Sequence, residues 1–106
     1  MAKEKESSRE STGVITREQV RTKEPPMYKV ILLNDHYTSM EFVVLVLESV
    51  FKKSTTDAHA IMLTVHEKGA GVAGVFTKEI AETKIALVRS LARQNEFPLK
   101  CTMEPV

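Results

Sequence analysis

The chain has 106 residues, 42% of them hydrophobic, which suffices for one modest core and leaves no room for a separate cofactor domain. Lys and Arg number 15 and Asp and Glu 14, so the formal charge of +1 demands neither a phosphate backbone nor an anionic membrane as partner. The single cysteine, Cys101, cannot close an intrachain disulfide, and the lack of a CxxC or Cys/His cluster excludes a structural zinc site.

Residues 1–26 hold six basic and five acidic residues but few aliphatics, and end at Pro25-Pro26; they are expected to form a disordered N-terminal extension. Residues 27–106 are then the folded core, with equal numbers of acids and bases. The start lacks the apolar stretch of a secretory signal, and no apolar run approaches the roughly 18 residues of a membrane span. A cytoplasmic protein is expected.

The first strand is Tyr28-Lys-Val-Ile-Leu-Leu33, β-branched and apolar on both faces, as suits a strand in the middle of a sheet. It stops at Asn34-Asp35-His36. The Thr38-x-x-Glu41 pattern predicts a capping box opening a helix from Ser39 to about Lys52, whose stripe includes Met40, Phe42, Val43, Val46, Leu47, Val50 and Phe51. Asn34 to Tyr37 must therefore be a short turn between strand and helix. Ser54 with Asp57 at one end and Lys68-Gly69 at the other predict a second helix over Thr55 to Lys68.

Gly71 to Phe76 reads as a short strand. Thr77 is positioned to cap a third helix, Lys78 to about Asn95, with Ile80, Ala81, Ile85, Val88, Leu91 and Ala92 facing inward and Phe97-Pro98 beyond its end. Lys100 to Glu104 alternates polar and apolar and reads as a half-exposed strand. The order is β-α-α-β-α-β, an α+β domain.

No GxSxG, HExxH or P-loop is present, and Gly69-Ala-Gly-Val-Ala-Gly74 leads into a strand instead of leaving one, so it is no dinucleotide site. No cofactor or metal is expected; His59 and His66, about 10 Å apart along one helix, are too far apart to share an ion. Asp35, His36 and His66 are the acid-base candidates, without a placed nucleophile. Met62, Val65 and His66 share a helix face, and Met40 follows directly on the polar turn. Together they could wall a pocket with an apolar floor and a polar lip. On spacing alone, Met40 and Met62 serve equally well as gap-filling core and His66 as a surface residue. Three function classes remain: a binding module, a small hydrolase or transferase using Asp35 with His36 or His66, and an RNA-associated module, the last disfavoured by the near-zero charge.

The string Tyr28 to Asp35, with Tyr37-Thr38, Met40 to Val43, Met62-Leu63-x-Val65-His66, Gly74-Val75-Phe76 and Ala81 to Lys84, closely resembles the ClpS family of adaptors. These deliver proteins bearing destabilising N-terminal residues (Leu, Phe, Tyr, Trp) to the ClpA or ClpC unfoldase of a Clp protease. The resemblance implies a three-stranded antiparallel sheet with three helices packed on one side, and no enzymatic activity. It implies that Asn34, Asp35 and His66 bind the substrate α-amino group and that Thr38 supports the adjoining backbone. Met40, Met62, Val65 and Leu99 would line the side-chain pocket, and Glu79 and Lys84 would dock the unfoldase N-terminal domain. The N-terminal extension would be engaged by the unfoldase, and the adaptor is expected to act as a monomer without nucleic acid or membrane. Two positions depart from the family pattern: His36 stands at the lip where a second acid is usual, and Ser39 where proline is usual.

Overall fold

The computed structural model of the chain describes residues 25–106; the expected extension lies, but for its two prolines, outside the described residues. Strand β1 (Met27–Leu33) is central, pairing antiparallel on one side with β2 (Ala70–Thr77) and on the other with β3 (Lys100–Pro105). Its position follows from its composition. Val30 and Leu32 are fully buried under the helices, and the alternate residues Lys29, Ile31 and Leu33 are half-buried on the other face. Ala73 is the extra residue of a bulge opposite Val30 and Ile31, and it too is fully buried.

Helix α1 (Met40–Ser49) follows the polar turn, and α2 (Thr55–Lys68) packs against both it and β2. Helix α3 (Lys78–Gln94) lies across all three strands. Phe42, Val46, Leu47, Ala58, Met62, Val65, Ala81, Val88 and Ala92 join Val30 and Leu32 in one core. Phe97, just past α3, stacks on Phe42 with ring centroids 4.9 Å apart. The expected β-α-α-β-α-β order and antiparallel sheet are present. No helix among the described residues is long and apolar enough to cross a membrane.

Several local expectations are corrected. The N-cap of α1 is Ser39, whose hydroxyl accepts from the Phe42 N–H at 3.1 Å; Thr38 makes no capping box with Glu41, because its hydroxyl donates to Asp35 instead. The helix ends at Ser49, three residues before Lys52, which adopts a left-handed φ of 57°. Thr77 sits at the N-cap of α3 without making a side-chain capping bond. Ile80 is 49% exposed, on the solvent side of α3. The bounds of α2 are as read, its C-terminus closed by Gly69 at φ 90°. Cys101 is the half-buried core residue its strand position implies, and burial pushes its thiol up to about 11 against the opposing pull of the Arg89 charge.

Candidate functional site

The polar turn is organised by one carboxylate. Asp35 Oδ1 accepts from the Tyr37 N–H at 2.8 Å and the Thr38 N–H at 2.7 Å, and Oδ2 accepts from the Thr38 hydroxyl at 2.7 Å. An aspartate bonding the backbone two and three residues on is what forces a tight turn here. Partial burial alone would push the Asp35 carboxyl up. The hydrogen bonds from the Thr38 hydroxyl, the Thr38 N–H and the Tyr37 N–H, with a small contribution from His36, outweigh it and hold Asp35 below its ordinary value. A carboxylate offers about four acceptor positions, so one on Oδ2 is left for a ligand.

A second tether brings α2 to the turn. The Asn34 N–H donates to the Gly69 carbonyl at 2.9 Å, fixing the end of β1 against the left-handed residue that closes α2. His66 lies in the last turn of that helix, so the same bond that ends the strand sets the imidazole beside the turn.

These constraints create a hollow of about 210 Å³. Asn34, Asp35, His36, Thr38 and the exposed His66 supply its polar side; Met40, Val43, Met62 and Val65 supply the apolar side. Val65 is 2% exposed and Met62 8%, which makes them the floor, whereas Met40 at 43% is a movable rim. The volume falls below the roughly 300–1,000 Å³ of drug-sized sites and suits a single side chain with its attached polar group. Asn34, Asp35, Thr38, Met40, Met62, Val65 and His66 are thus brought together, with His36 at the lip. Val43, read above as part of the apolar stripe, also lines the hollow, since its position three residues after Met40 puts it on the same helix face.

Three other residues singled out in the sequence lie elsewhere. Leu99 is buried and does not line this hollow; it borders a larger one of about 490 Å³ between α3 and β3, with Val88, Arg89 and Cys101. That larger hollow holds none of the acceptors of the turn. Lys84 spends its ammonium inside the fold, donating to the Val50 carbonyl at 2.7 Å and lying 5.6 Å from the Phe76 ring centroid. Glu79 is exposed in the first turn of α3.

The sheet, the one-sided helices and a mouth of acceptors over an apolar floor define a small binding domain of the adaptor class. Residues 23–102 match the family described as ATP-dependent Clp protease adaptor protein ClpS. The chain is 56% identical over 94 residues to the ClpS adapter of Rhodospirillum centenum, covering 89% of this chain and 87% of the relative. It is 53% identical to the Oleidesulfovibrio alaskensis adapter over 106 residues, the full length of both. It is also similar to a solved structure of Agrobacterium tumefaciens ClpS2 bound to L-phenylalaninamide, with a TM-score of 0.75 and 43% identity over 78% of this chain and all of that one. This chain belongs to the ClpS family. It is an adaptor of the Clp protease system, not an enzyme.

Proposed function

We propose that the 210 Å³ hollow is where this adaptor captures substrates, by an unblocked N-terminus carrying Leu, Phe, Tyr or Trp. One observation carries the proposal: three acceptors from two places in the chain, Asn34 and Asp35 in the turn and His66 in α2, border the same small hollow as Met62 and Val65. An α-ammonium presents three donors in a compact cluster. The Asn34 amide oxygen, the remaining position on Asp35 Oδ2 and a neutral His66 nitrogen accept them, and the first side chain enters between Met40, Val43, Met62 and Val65. Thr38 keeps a hydroxyl lone pair for the next backbone N–H, since its own proton is given to Asp35. The likeness to a ClpS2 bound to L-phenylalaninamide, a free amine with an aromatic side chain, supports the same reading.

Each bond to a charged group contributes about 1.5–3 kcal/mol, and burial of a Leu or Phe side chain about 1.5–3 kcal/mol. Association opposes these by about 4 kcal/mol or more. The balance is at most about −8 kcal/mol, so binding is about micromolar at its tightest, which suits a carrier that must release its cargo. Residues 27–106 form the binding core, residues 1–26 the extension engaged at hand-off, and the cargo passes to the N-terminal domain of a ClpA or ClpC unfoldase in the cytoplasm, with the adaptor acting as a monomer. Exposed Glu79 is the contact offered to that domain; Lys84 acts there through its hold on Val50 and Phe76.

Paired peptides beginning with Leu, one with a free amine and one N-acetylated, test the reading by fluorescence anisotropy. Only the free amine binds, because acetylation removes both charge and donors. Equal binding of the two ends the proposal.

A further inference from the structure

Beside the amine hollow lies another of about 460 Å³, and Asn34, Asp35 and His36 form a wall common to both. Leu33, Tyr37 and Pro98 make its apolar side, Lys100 brings a positive charge and His36 an imidazole. Tyr37 is 78% exposed, so most of an aromatic ring is offered to solvent at the rim. The one acid in the lining, Asp35, has three acceptor positions turned onto Tyr37 and Thr38. What the groove leaves uncommitted is cationic and aromatic.

A chain held by its first residue must leave from the α-carbon, which carries the amine and the carbonyl carbon side by side, while the side chain points away toward Met62 and Val65. The exit is therefore on the side of the turn. A third hollow, of about 340 Å³ and including Glu41 and His59, shares only Met40 and Met62 with the amine hollow, both from its apolar side, and none of the acceptors of the turn. Each extended residue advances about 3.3–3.6 Å, so residues two to four reach the groove of Tyr37 and Lys100.

We infer that this groove is a second subsite, which reads residues two to four of the captured chain and favours an acidic side chain there. The inference rests on the reading that the smaller hollow takes residue one. Lys100 attracts the carboxylate, and Tyr37 and Pro98 cover its methylenes. The placement of the charge makes substrates with an acidic second or third residue good cargo for this adaptor.

The test uses the full chain and four peptides that begin with Leu and continue with two Gly, Glu, Gln or Lys residues. At low ionic strength the Glu peptide binds more tightly than the Gln peptide, and the Lys peptide more weakly, with a spread of about threefold to tenfold that contracts in strong salt. Lys100→Glu inverts the order of the Glu and Lys peptides, each taken relative to the Gly peptide, with the circular dichroism spectrum confirming the fold. If the Gly peptide binds but Glu, Gln and Lys do not differ, or if Lys100→Glu leaves the order intact, the groove is not the subsite. A Glu preference abolished by His59→Ala places the exit over the third hollow and also overturns the inference. If no free-amine peptide binds at all, the first reading falls and this one with it.

Discussion

Asp35→Asn separates what the carboxylate does for the turn from what it does for a ligand. The amide has nearly the same shape, and its oxygen can still accept from the Tyr37 and Thr38 N–H groups, at 2.8 and 2.7 Å in the parent. The group facing the Thr38 hydroxyl becomes an NH2, so that bond must reverse direction. Bonds to a charged group are about twice as strong as neutral ones, and stability falls by about 1–3 kcal/mol, or roughly 4–8 °C of melting temperature per kcal/mol. Binding loses more. The free Oδ2 position is replaced by a donor facing an ammonium, which removes about 1.5–3 kcal/mol, a weakening of about ten- to a hundredfold. Thr38→Val is the comparison: it breaks the same side-chain bond and keeps the charge, so it lowers stability comparably, while for binding it removes only the neutral bond offered to the next backbone N–H, about 0.5–1.5 kcal/mol. Anisotropy with a Leu-initiated peptide and urea unfolding on the same samples measure both. A folded Asp35→Asn protein that binds within about twofold of the parent would falsify the assignment of Asp35 to the amine.

Acidification tests the carboxylate that organises the turn. Because Asp35 is held below its ordinary 3.8, its contribution to stability is complete above that value and lost as pH falls through the lower folded value. The urea midpoint of the parent is therefore expected to fall, as pH drops below the ordinary carboxylate range, more steeply than that of Asp35→Asn, whose turn carries no titrating carboxylate; identical pH profiles would remove the Asp35 bonds from the stability of the turn. His66→Ala removes the third acceptor bordering the hollow and is expected to weaken binding of the Leu peptide by about ten- to a hundredfold, and unchanged affinity in the folded variant would remove His66 from the contact. Lys84→Met keeps the aliphatic stem but abandons the Val50 carbonyl and the Phe76 ring, and is expected to destabilise by about 2 kcal/mol in urea titration without changing peptide affinity. An unchanged urea midpoint would show that the bond is dispensable. Gly71→Ala sets a new Cβ 2.8 Å from Val65 Cγ2, in the floor of the hollow, so it should cost about 1–3 kcal/mol and weaken peptide binding together. Loss of stability with full affinity would mean that the floor absorbs the methyl elsewhere.

Local signals were enough for most of the architecture. Ser54 and Gly69 bracket α2 at both ends, and a strand apolar on both faces takes the centre of a three-stranded sheet. What failed was decided by competition or by distance. Thr38 and Ser39 are adjacent hydroxyls, either fit to cap a helix, and the choice falls to Ser39 because Asp35 claims Thr38 from three residues upstream. The Lys84 bond to Val50 spans 34 positions and leaves no periodic trace. At the site, helix spacing placed Met62, Val65 and His66 together, but their approach to the turn depends on the Asn34 bond to Gly69, a tertiary contact. The role of Leu99 came from family resemblance alone, and its side chain borders a different hollow.

Chemical-shift mapping with L-phenylalaninamide asks most directly where an amine bearing an aromatic side chain settles on this fold. The expected perturbations are the amides of Asn34 to Thr38 and His66 and the methyl groups of Met40, Met62 and Val65. Perturbations centred instead on Val88, Arg89 and Cys101, around the 490 Å³ hollow, would contradict the account.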